Sequence, residues 1–445
     1  MNSDDVVYLS LLFFSIGFGV FYRKLPTAEY KQNVGAILGL IIVFLVSGFH
    51  SLHFLFIIVV NSLIIYSVDK GKCHVYSFLF SFSYLCFFRM SGYFGMAFPS
   101  GHTNLVQMIL TLKLVGLAFE LNSGDIDYSQ LSIRKIFYYS FNYCGILTGP
   151  YFKYKTFIDH LYCPFNKYDN YKSATLKRLF PYVPLYAIIF LIFDSTWPMT
   201  YTLTVEFYQR SFLYRYWYIW PTFTIFRMRI YVGLVLSECS CIMAGLGIYP
   251  TFTKPKPGKG PSDNIEKLKE ICVDERALET LEYDYETINN INPYITEFCP
   301  TYREGIKNWN MTVQYWLGVY VYKHFPYKQF RTFATLFVSS IWHGITPGHY
   351  FCICTVPLGL LVEDIWVKLL IKDNSIIPAR TASLILWFLK MQLFSYQIMA
   401  FNMLDLQKFM TYYNSVYHCV PVLCFALYST GIYLLKNRNT NTKEF

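Results

Sequence analysis

Two polar residues, Asn310 and His343, lie in a stretch of the chain, residues 309–350, that otherwise resembles the interior of a membrane protein. An ionisable residue in a membrane segment is energetically costly and rare, and it indicates a functional site by default. Because histidine titrates near neutral pH, a buried His343 that faces a cavity can take up and return a proton during a reaction. Asn310 can supply a neutral hydrogen-bond partner.

A purely structural role for both residues is the alternative. A single histidine on an apolar face is more often packed in the core than catalytic, and an asparagine in a membrane helix often only joins helices by hydrogen bonds. Helix-breaking residues just beyond His343, namely Gly344, Pro347 and Gly348, favour the functional interpretation. Irregular backbone at membrane depth is tolerated only where it lines a cavity or is buried in protein, so this break predicts a cavity beside His343.

The sequence around these residues resembles the membrane-bound O-acyltransferases, a family marked by a histidine in a Trp-His-Gly context with an asparagine upstream. His343 and Asn310 stand at those positions in this chain. The chain is particularly similar to the lysophosphatidylinositol acyltransferase branch, and the similarity covers most of its length. The segments that carry it are 309–316, 340–350, 110–115, 142–156 and 281–288.

This resemblance implies a fold and a reaction. The fold is an all-α polytopic membrane protein whose helices surround a central acyl-transfer cavity. The reaction moves a polyunsaturated acyl chain, typically arachidonoyl, from coenzyme A to the sn-2 hydroxyl of lysophosphatidylinositol in phospholipid remodelling. His343 is then the general base and Asn310 its polar partner. Acyl-CoA is a co-substrate, lysophospholipid and membrane lipids are the partners, and no bound cofactor is expected.

Acyl transfer from a thioester needs a base for the attacking hydroxyl and donors for the oxyanion. His343 can be the base. Asn310 could bind the hydroxyl, bind the acyl carbonyl or hold the imidazole tautomer, and the residues alone leave these three roles open. No Ser, Cys or Asp of the sequence stands in a nucleophile-elbow setting, so direct transfer without an acyl-enzyme is expected. No metal-ligand spacing occurs in the sequence.

The composition indicates an integral membrane protein. Hydrophobic residues make up 54% of the 445 residues and charged residues only 15%, too few charges to cover a soluble protein of this size. The net charge of +10 predicts cytoplasmic basic loops and attraction to anionic lipids. Nucleic acid is not expected as a partner, because the basic residues are scattered and form no stripe. The twelve cysteines are interpreted as reduced packing residues.

Apolar runs of about 20 residues, the length that crosses a bilayer, recur along the chain and predict about eleven transmembrane helices in a single domain over residues 1–445. The runs are 6–22, 34–66, 75–90, 104–121, 136–148, 179–197, 230–249, 350–371, 381–403 and 416–435. A break at residues 48–51 is expected to divide the run 34–66 into two helices. Glu238 lies inside the run 230–249, where we expect it to pair with an arginine or to cap backbone groups.

Residues 253–300 form the one clearly polar section and are expected to lie outside the membrane. Its beginning, 254–261, is rich in Pro and Gly and predicts an extended or disordered linker. An imperfect apolar stripe over 265–280 predicts a helix on the membrane surface. Upstream, the tetrapeptide Pro-Ser-Gly-His at 99–102 matches one part of a lipid phosphatase signature whose other parts are missing, so we interpret it as an interfacial turn.

Charge predicts the topology. Between residues 153 and 178, six basic residues outnumber Asp159 and Asp169. They are Lys153, Lys155, Lys167, Lys172, Lys177 and Arg178. The positive-inside rule places this stretch in the cytoplasm, and a further role for some of its lysines is to meet the phosphates of coenzyme A. Because soluble acyl-CoA is made on that side, we expect a multi-pass protein of the endoplasmic reticulum membrane.

Two other functions stay open. One is acyl transfer to a different lysophospholipid headgroup, choline or serine. The other is a polytopic transporter in which His343, Asn310 and Glu238 would line a pathway. The sequence has no helical repeat of fixed period and no obvious symmetry between its halves, which weakens the transporter interpretation.

Overall fold

A computed structural model of the chain describes residues 3–272, 274–372 and 377–441. Their regular structure is almost entirely helical, which confirms the predicted all-α class. Two short strands, β1 Tyr249–Pro250 and β2 Tyr283–Asp284, pair in antiparallel fashion with Tyr249 opposite Asp284. Two π-helical segments, Leu317–Tyr322 and Lys368–Lys372, each continue an α-helix.

The α-helices before residue 250 are α1 Ser3–Arg23, α2 Ala28–Ser47, α3 Ser51–Ser67, α4 Cys73–Met90, α5 Gly101–Asn122, α6 Ile133–Phe141, α7 Tyr154–Tyr162, α8 Tyr171–Leu179, α9 Tyr182–Thr196, α10 Val205–Gln209, α11 Phe212–Trp217 and α12 Ile219–Ala244. Those after it are α13 Ile265–Ile271, α14 Glu275–Glu279, α15 Pro293–Phe298, α16 Tyr302–Lys307, α17 Met311–Trp316, α18 Arg331–His343, α19 Pro347–Cys354, α20 Val356–Val367, α21 Ala379–Met403, α22 Leu406–Ser415 and α23 Cys419–Asn441.

Seven helical stretches among the described residues are long and apolar enough to cross a membrane, judged by length and composition. They are Asp4–Arg23, Ala28–Ser67, Gly101–Asn122, Tyr171–Leu203, Pro347–Ile371, Ala379–Met403 and Cys419–Arg438. The multi-pass character is therefore confirmed, whereas the number eleven is not. The predicted runs 75–90, 136–148 and 230–249 lie outside the seven. Helix α6, at the second of them, has only 9 residues, and α12, at the third, carries the charged residues Arg227, Arg229 and Glu238.

The break predicted at residues 48–51 is present. Gly48 follows the last residue of α2 with φ at +52°, and a single 3-10 turn then leads into α3. Glycine adopts this φ without the steric penalty that a side chain brings. The tetrapeptide at 99–102 forms the entry to α5, where the hydroxyl of Ser100 accepts a hydrogen bond of 3.2 Å from the backbone N–H of Thr103. This is an ordinary helix cap, in agreement with the predicted turn.

The chain folds into two compact units, each built from three segments that are distant in sequence. The first unit contains Met1–Pro184, Tyr231–Ile291 and Asn310–Thr335. The second contains Leu185–Ile230, Asn292–Trp309 and Leu336–Phe445. Because the segments interleave, neither unit can be cut from the chain as one continuous piece. The assignment of residues 1–445 to a single domain stays a prediction.

The first unit is centred on α5. Helix α4 packs along α5, α3 packs along α4, and α2 packs against α6. Of the apolar window in α5, 89% of the residues are buried, against 28% in α1. The side chain of Trp316 is fully buried, and its indole N–H donates a hydrogen bond of 3.0 Å to the carbonyl of Leu112 in α5. Helix α17 is thereby fixed to the core, while the outer helices turn apolar side chains outward as lipid contact requires.

Arg23, the last residue of α1, joins four parts of the first unit. Its Nε donates to the carbonyl of Met243 at 2.8 Å, and its Nη1 donates to the carbonyl of Asn166 at 2.8 Å. Both terminal nitrogens bind the carboxylate of Asp169, at 2.8 and 2.9 Å, and Nη2 also reaches the hydroxyl of Tyr285 at 2.6 Å. The planar guanidinium is suited to such a two-pronged contact with a carboxylate. One side chain thus connects α1, the segment before α8, the end of α12 and the residue after β2.

The section predicted as an extended or disordered linker, 254–261, is instead a tight turn. The N–H of Lys256 donates to the carbonyl of Gly260 at 3.0 Å, and the N–H of Gly258 donates to the carbonyl of Thr287 at 2.8 Å. Gly258 and Gly260 have φ of +69° and +82°. The linker prediction is wrong here because Gly258 and Gly260 adopt left-handed backbone conformations in a hydrogen-bonded turn and do not form a flexible segment.

The apolar stripe predicted over 265–280 also has a different role. Two short helices, α13 and α14, replace the one predicted helix. Leu268 and Leu278 are buried in a cluster with Phe165 and Tyr249 of the same unit. The stripe therefore packs against protein rather than on the membrane surface, although Ile265 at its beginning is exposed.

The second unit is built around α21. Helix α19 packs along α21, and α20 packs along α23. The buried core of this unit is aromatic, with Phe409, Tyr412 and Tyr413 of α22 against Tyr396 of α21. Helix α23 presents most of its apolar side chains to the outside, as a lipid-facing helix does.

Candidate active site

His343 is the last residue of α18, and the helix ends directly after it. The N–H of Gly344 still donates to the carbonyl of Ser340 at 2.9 Å, and a short turn then leads to Pro347, the first residue of α19. Proline is favoured at a first helical position because its fixed φ suits the helix and no N–H is left unpaired. The helix break predicted just beyond His343 is confirmed. Its side chain is half-buried, at the junction of the two helices.

Gly348 fixes α19 to the end of α21. Its N–H donates to the carbonyl of Leu404 at 2.9 Å. A Cβ added at Gly348 would lie 2.1 Å from the carbonyl oxygen of Ala400, a backbone atom that cannot move aside without moving α21. The absence of a side chain at this position therefore sets the closest approach of the two helices.

This close approach brings Phe401 of α21 into contact with two histidines. The ring centroids of His343 and Phe401 are 5.4 Å apart, and those of His349 and Phe401 are 4.8 Å apart, both pairs meeting edge to face. The buried ring of Trp342 lies 4.8 Å from that of His343. Edge-to-face contacts of this kind hold aromatic rings in a defined orientation.

His349 is absent from the sequence-based prediction of the site. Its Nδ1 lies 2.7 Å from the hydroxyl of Thr346, and its ring occupies the space beside Gly344, where an added Cβ would come within 2.2 Å of the imidazole. Because Gly344 has no side chain, the ring of His349 can lie beside it. The same glycine directly follows the end of α18. The available signal was a second histidine six positions after His343 in the same glycine- and proline-rich turn.

The aromatic surroundings of His343 extend further within the second unit. The ring of Phe226 lies 5.5 Å from that of Phe401 and stacks on Trp309 at 6.2 Å. We call Trp309, Phe226, Phe401 and His343 the aromatic row. In such apolar surroundings a developing charge interacts with nearby dipoles more strongly than in water. Trp309 is also the residue that directly precedes Asn310 in the chain.

Asn310 belongs to the first unit, where it starts α17. Its backbone is left-handed, with φ of +53° and ψ of +46°, a conformation that asparagine adopts more readily than other residues with side chains. Its carbonyl accepts the hydrogen bonds of Val313 and Gln314 at 3.1 and 3.0 Å, but its side chain does not cap α17. The two predicted site residues thus lie at a helix start in the first unit and at a helix end in the second.

Glu238 has both contacts that its sequence position predicts. It is fully buried on α12, and its Oε2 accepts a hydrogen bond from Nε of Arg178. Its Oε1 accepts hydrogen bonds from the backbone N–H groups of Asn290 and Ile291, at 2.7 and 3.0 Å. A buried carboxylate with a cationic partner and satisfied oxygens is the arrangement that a membrane interior tolerates.

The basic stretch 153–178 is largely helical, comprising α7, a 3-10 turn and α8. Lys153 pairs with Asp125 at 3.0 Å and Lys155 pairs with Asp159. An open cavity of about 540 Å³ beside α8 is lined by Lys177 as well as by acidic groups, among them Glu286. Burial raises the pKa of Glu286 above its ordinary range, against the lowering effect of the Asn289 amide. This mixed lining of basic and acidic side chains gives no preference for a polyphosphate.

A second cavity, of about 360 Å³, lies in the second unit between α19, α20, α21 and α23. Its lining is mostly apolar and includes Phe351, Leu358 and Val420. Such a lining suits a hydrocarbon chain. Within the described residues no group of His, Cys, Asp and Glu side chains could hold a metal ion, and the twelve cysteines are free thiols.

Comparison with known proteins agrees with this architecture. The model of the membrane-bound O-acyltransferase family matches residues 63–404, a span that contains both Asn310 and His343. Membrane-bound acylglycerophosphatidylinositol O-acyltransferase frj of Drosophila melanogaster is 39% identical to the chain, over 98% of the chain and 94% of the relative. Membrane-bound acylglycerophosphatidylinositol O-acyltransferase mboat7 of Xenopus laevis is 37% identical, over 100% of the chain and 97% of the relative. The human protein, MBOAT7, is 34% identical, over 98% of the chain and 95% of the relative. These matches establish that the chain belongs to the membrane-bound O-acyltransferase family.

Proposed function

We propose that this protein is an acyl-CoA-dependent acyltransferase of lysophosphatidylinositol. The curated relatives named above are called acylglycerophosphatidylinositol O-acyltransferases, and they align with nearly the whole chain. The observation that carries the chemical part of the proposal is the position of His343, which ends α18 beside a glycine turn and lies against Phe401. The rings of Trp342 and Phe401 fix the orientation of His343 at the end of α18, and a base held in this way is positioned to remove the proton of the attacking hydroxyl.

In the proposed reaction, the imidazole of His343 removes the proton from the sn-2 hydroxyl of the lysolipid as its oxygen attacks the thioester carbonyl of acyl-CoA. The carbonyl becomes a tetrahedral oxyanion, which collapses and breaks the carbon–sulfur bond. The thiolate of coenzyme A leaves and receives the proton from His343. The products are the diacyl phospholipid and free coenzyme A, and the histidine returns to its starting state.

Asn310 is the polar partner in this proposal. Its amide can donate to the developing oxyanion, bind the attacking hydroxyl or hold the tautomer of His343, since an amide has both donors and an acceptor. Donors that are fixed before the reaction stabilise the transition state without reorganising. The left-handed backbone of Asn310 and its place at the start of α17 are a fixed setting of this kind.

The acyl donor in this proposal carries a polyunsaturated chain of the arachidonoyl type, and the acceptor is the inositol lipid. The inositol ring must be selected by hydrogen-bonding groups that match its hydroxyls, because polar pockets reject analogues that lack those groups far better than apolar pockets reject a change of size. In this proposal the reaction takes place in the endoplasmic reticulum membrane, and residues 153–178 lie on the cytoplasmic side, where acyl-CoA is available.

The test is a competition assay on the purified full-length protein in detergent micelles. Arachidonoyl-CoA is offered with equal amounts of lysophosphatidylinositol, lysophosphatidylcholine and lysophosphatidylserine, free thiol is followed with time, and the products are separated by mass spectrometry. We expect phosphatidylinositol to dominate by a wide margin. Equal or greater use of the choline or serine lipid would move the protein to a neighbouring headgroup. Failure to release coenzyme A with any lysolipid would contradict the acyltransferase proposal and favour the interpretation of the protein as a transporter.

A further inference from the structure

We propose that Glu238 and Arg178 are positioning residues for Asn310, acting through the turn formed by residues 289–291. The inference rests on the proposed role of Asn310 in the reaction. All of the contacts that carry it lie within the first unit.

Both members of the ion pair, Glu238 and Arg178, form hydrogen bonds to the turn. Glu238 accepts the N–H groups of Asn290 and Ile291 at 2.7 and 3.0 Å. Arg178 donates from Nη2 to the carbonyl of Ile291 at 2.7 Å and to the side-chain oxygen of Asn289. Since Arg178 also binds Glu238, the ion pair and the turn form one connected set of hydrogen bonds. Removing the charge of Arg178 would leave the carboxylate of Glu238 fully buried without its cationic partner.

The middle residue of the turn, Asn290, in turn holds the start of α17. Its carbonyl accepts the N–H of Met311 at 2.6 Å. Its side-chain oxygen accepts both the N–H and the hydroxyl of Thr312, at 3.1 and 2.6 Å. The hydroxyl of Thr312 also accepts the N–H of Tyr151 at 3.2 Å. Thr312 is fully buried, so its hydroxyl depends on these protein partners.

These contacts replace the cap that Asn310 would otherwise provide. The first N–H groups of a helix have no partner inside the helix, and an asparagine at the preceding position usually satisfies one of them with its own side chain. Here Asn290 satisfies the N–H groups of both Met311 and Thr312, and the side chain of Asn310 does not cap the helix. The amide of Asn310 therefore makes no capping hydrogen bond to α17 and is available for the reaction.

The same contacts hold the backbone of Asn310 in its left-handed conformation. A residue with a side chain is strained at positive φ and persists there only when the surrounding structure determines it. The two residues that follow Asn310 are both bound to Asn290, which fixes the direction in which the chain leaves Asn310. A small displacement of a reacting group lowers the rate of the chemical step strongly while affecting ground-state binding little.

The decisive experiment compares Thr312→Val with Thr312→Ser. Valine has the shape of threonine but lacks the hydroxyl, whereas serine keeps the hydroxyl and loses only a methyl group. We expect Thr312→Val to lower kcat by about tenfold or more, with KM for both substrates changed by less than about twofold, because a displacement of about 1 Å can lower the rate by about 100-fold. Thr312→Ser should restore most of kcat. The control is Thr111→Val, a buried threonine whose hydroxyl bonds to Gln107 within its own helix, α5, and this variant should leave kcat unchanged.

Glu238→Gln provides the second variant, because Glu238→Ala could prevent folding. Glutamine keeps an acceptor for Asn290 and Ile291 but loses the charge that Arg178 binds, so we expect a smaller fall in kcat than in Thr312→Val, again at nearly constant KM. Thermal midpoint and monodisperse yield are measured for every variant.

Four results would overturn the inference. The first two are a wild-type kcat in Thr312→Val and a wild-type kcat in Glu238→Gln. The others are a loss in Thr312→Ser as large as that in Thr312→Val, and a fall in activity that only follows the fall in folded protein. If the wild-type protein itself released no coenzyme A with any lysolipid, the proposed function would fail, and this outcome is distinct because it appears in the wild-type reference of the same assay.

Discussion

The imidazole of His343 and the ring of Phe401 meet edge to face, with centroids 5.4 Å apart and planes inclined at 78°. Phe401 also contacts the ring of His349, with centroids 4.8 Å apart, so one residue of α21 contacts both imidazoles of the turn. The position of His343 therefore depends on how closely α19 and α21 approach. That approach is set by Gly348, which donates its N–H to Leu404.

The first prediction concerns the general base. His343→Ala should lower the release of coenzyme A by about 10²- to 10⁴-fold, because the attacking hydroxyl then lacks its proton acceptor. The protein should still be folded and membrane-inserted, as measured by its yield and elution profile. His324→Ala is the control, since His324 is exposed, with its Nδ1 2.9 Å from the carbonyl of Val319 and its ring 4.9 Å from that of Phe119 in the first unit. Residual activity above about a tenth of wild type would contradict the assignment.

The second prediction separates the amide of Asn310 from its backbone. Asn310→Ala removes the amide and also strains a residue at φ of +53°, whereas Asn310→Gly removes the amide and accepts that φ. If the amide takes part in the reaction, both variants should lose most of their turnover, and the glycine variant should be the better expressed. A glycine variant with lower expression but wild-type specific activity would instead identify Asn310 as a packing residue.

The third prediction concerns the contact between α19 and α21. Gly348→Ala places a methyl group 2.1 Å from the carbonyl oxygen of Ala400, so the helices must separate. Overpacking of this kind typically costs about 1 to 3 kcal/mol of stability. We expect a lower thermal midpoint together with lower activity, because His343 and Phe401 move apart. Gly17→Ala in α1 is the control, as its added Cβ meets no atom within 4 Å, and an equal loss in both variants would refute the explanation.

The fourth prediction concerns topology. A cysteine in place of Lys167, which is exposed at the 3-10 turn before α8, should react with a membrane-impermeant maleimide in sealed microsomes whose cytoplasmic face is outward. The parent protein gives the background of the native cysteines, and permeabilised microsomes give the full signal. Protection of the introduced cysteine until the membrane is permeabilised would place residues 153–178 on the luminal side.

Local signals predicted much of the fold. Apolar length and the glycine at position 48 were sufficient to divide α2 from α3, and the glycines and proline after His343 were sufficient to end α18. Glu238 was assigned a structural role because the acyltransferase motif that the chain resembles does not place it as a catalyst. Each of these predictions depends on the identity of a residue and its neighbours or on a short motif, which a sequence displays directly.

Contacts between distant segments could not be predicted in this way. The polar section 253–300 is ordered because Leu268 and Leu278 pack in one cluster with Phe165, which lies more than 100 residues earlier in the chain. Its composition alone resembled that of a flexible linker. The hydrogen bond between Asn290 and Thr312 could not be predicted either, because nothing in the sequence near Asn290 indicates a partner 22 residues away.

Arg23 has a consequence for the order in which the protein is made. Tyr285, one of its hydrogen-bond partners, lies 262 residues further along the chain. At about 5 to 20 residues per second, the ribosome needs on the order of 10 to 50 seconds to deliver that partner after α1 has entered the membrane. Until its carboxylate partner Asp169 is made, 146 residues after it, the guanidinium must be solvated by water or headgroups, which its position at the very end of α1 permits. The last of its bonds can form only when Tyr285 arrives, so the end of α1 is fixed to the rest of the first unit in steps as the chain grows.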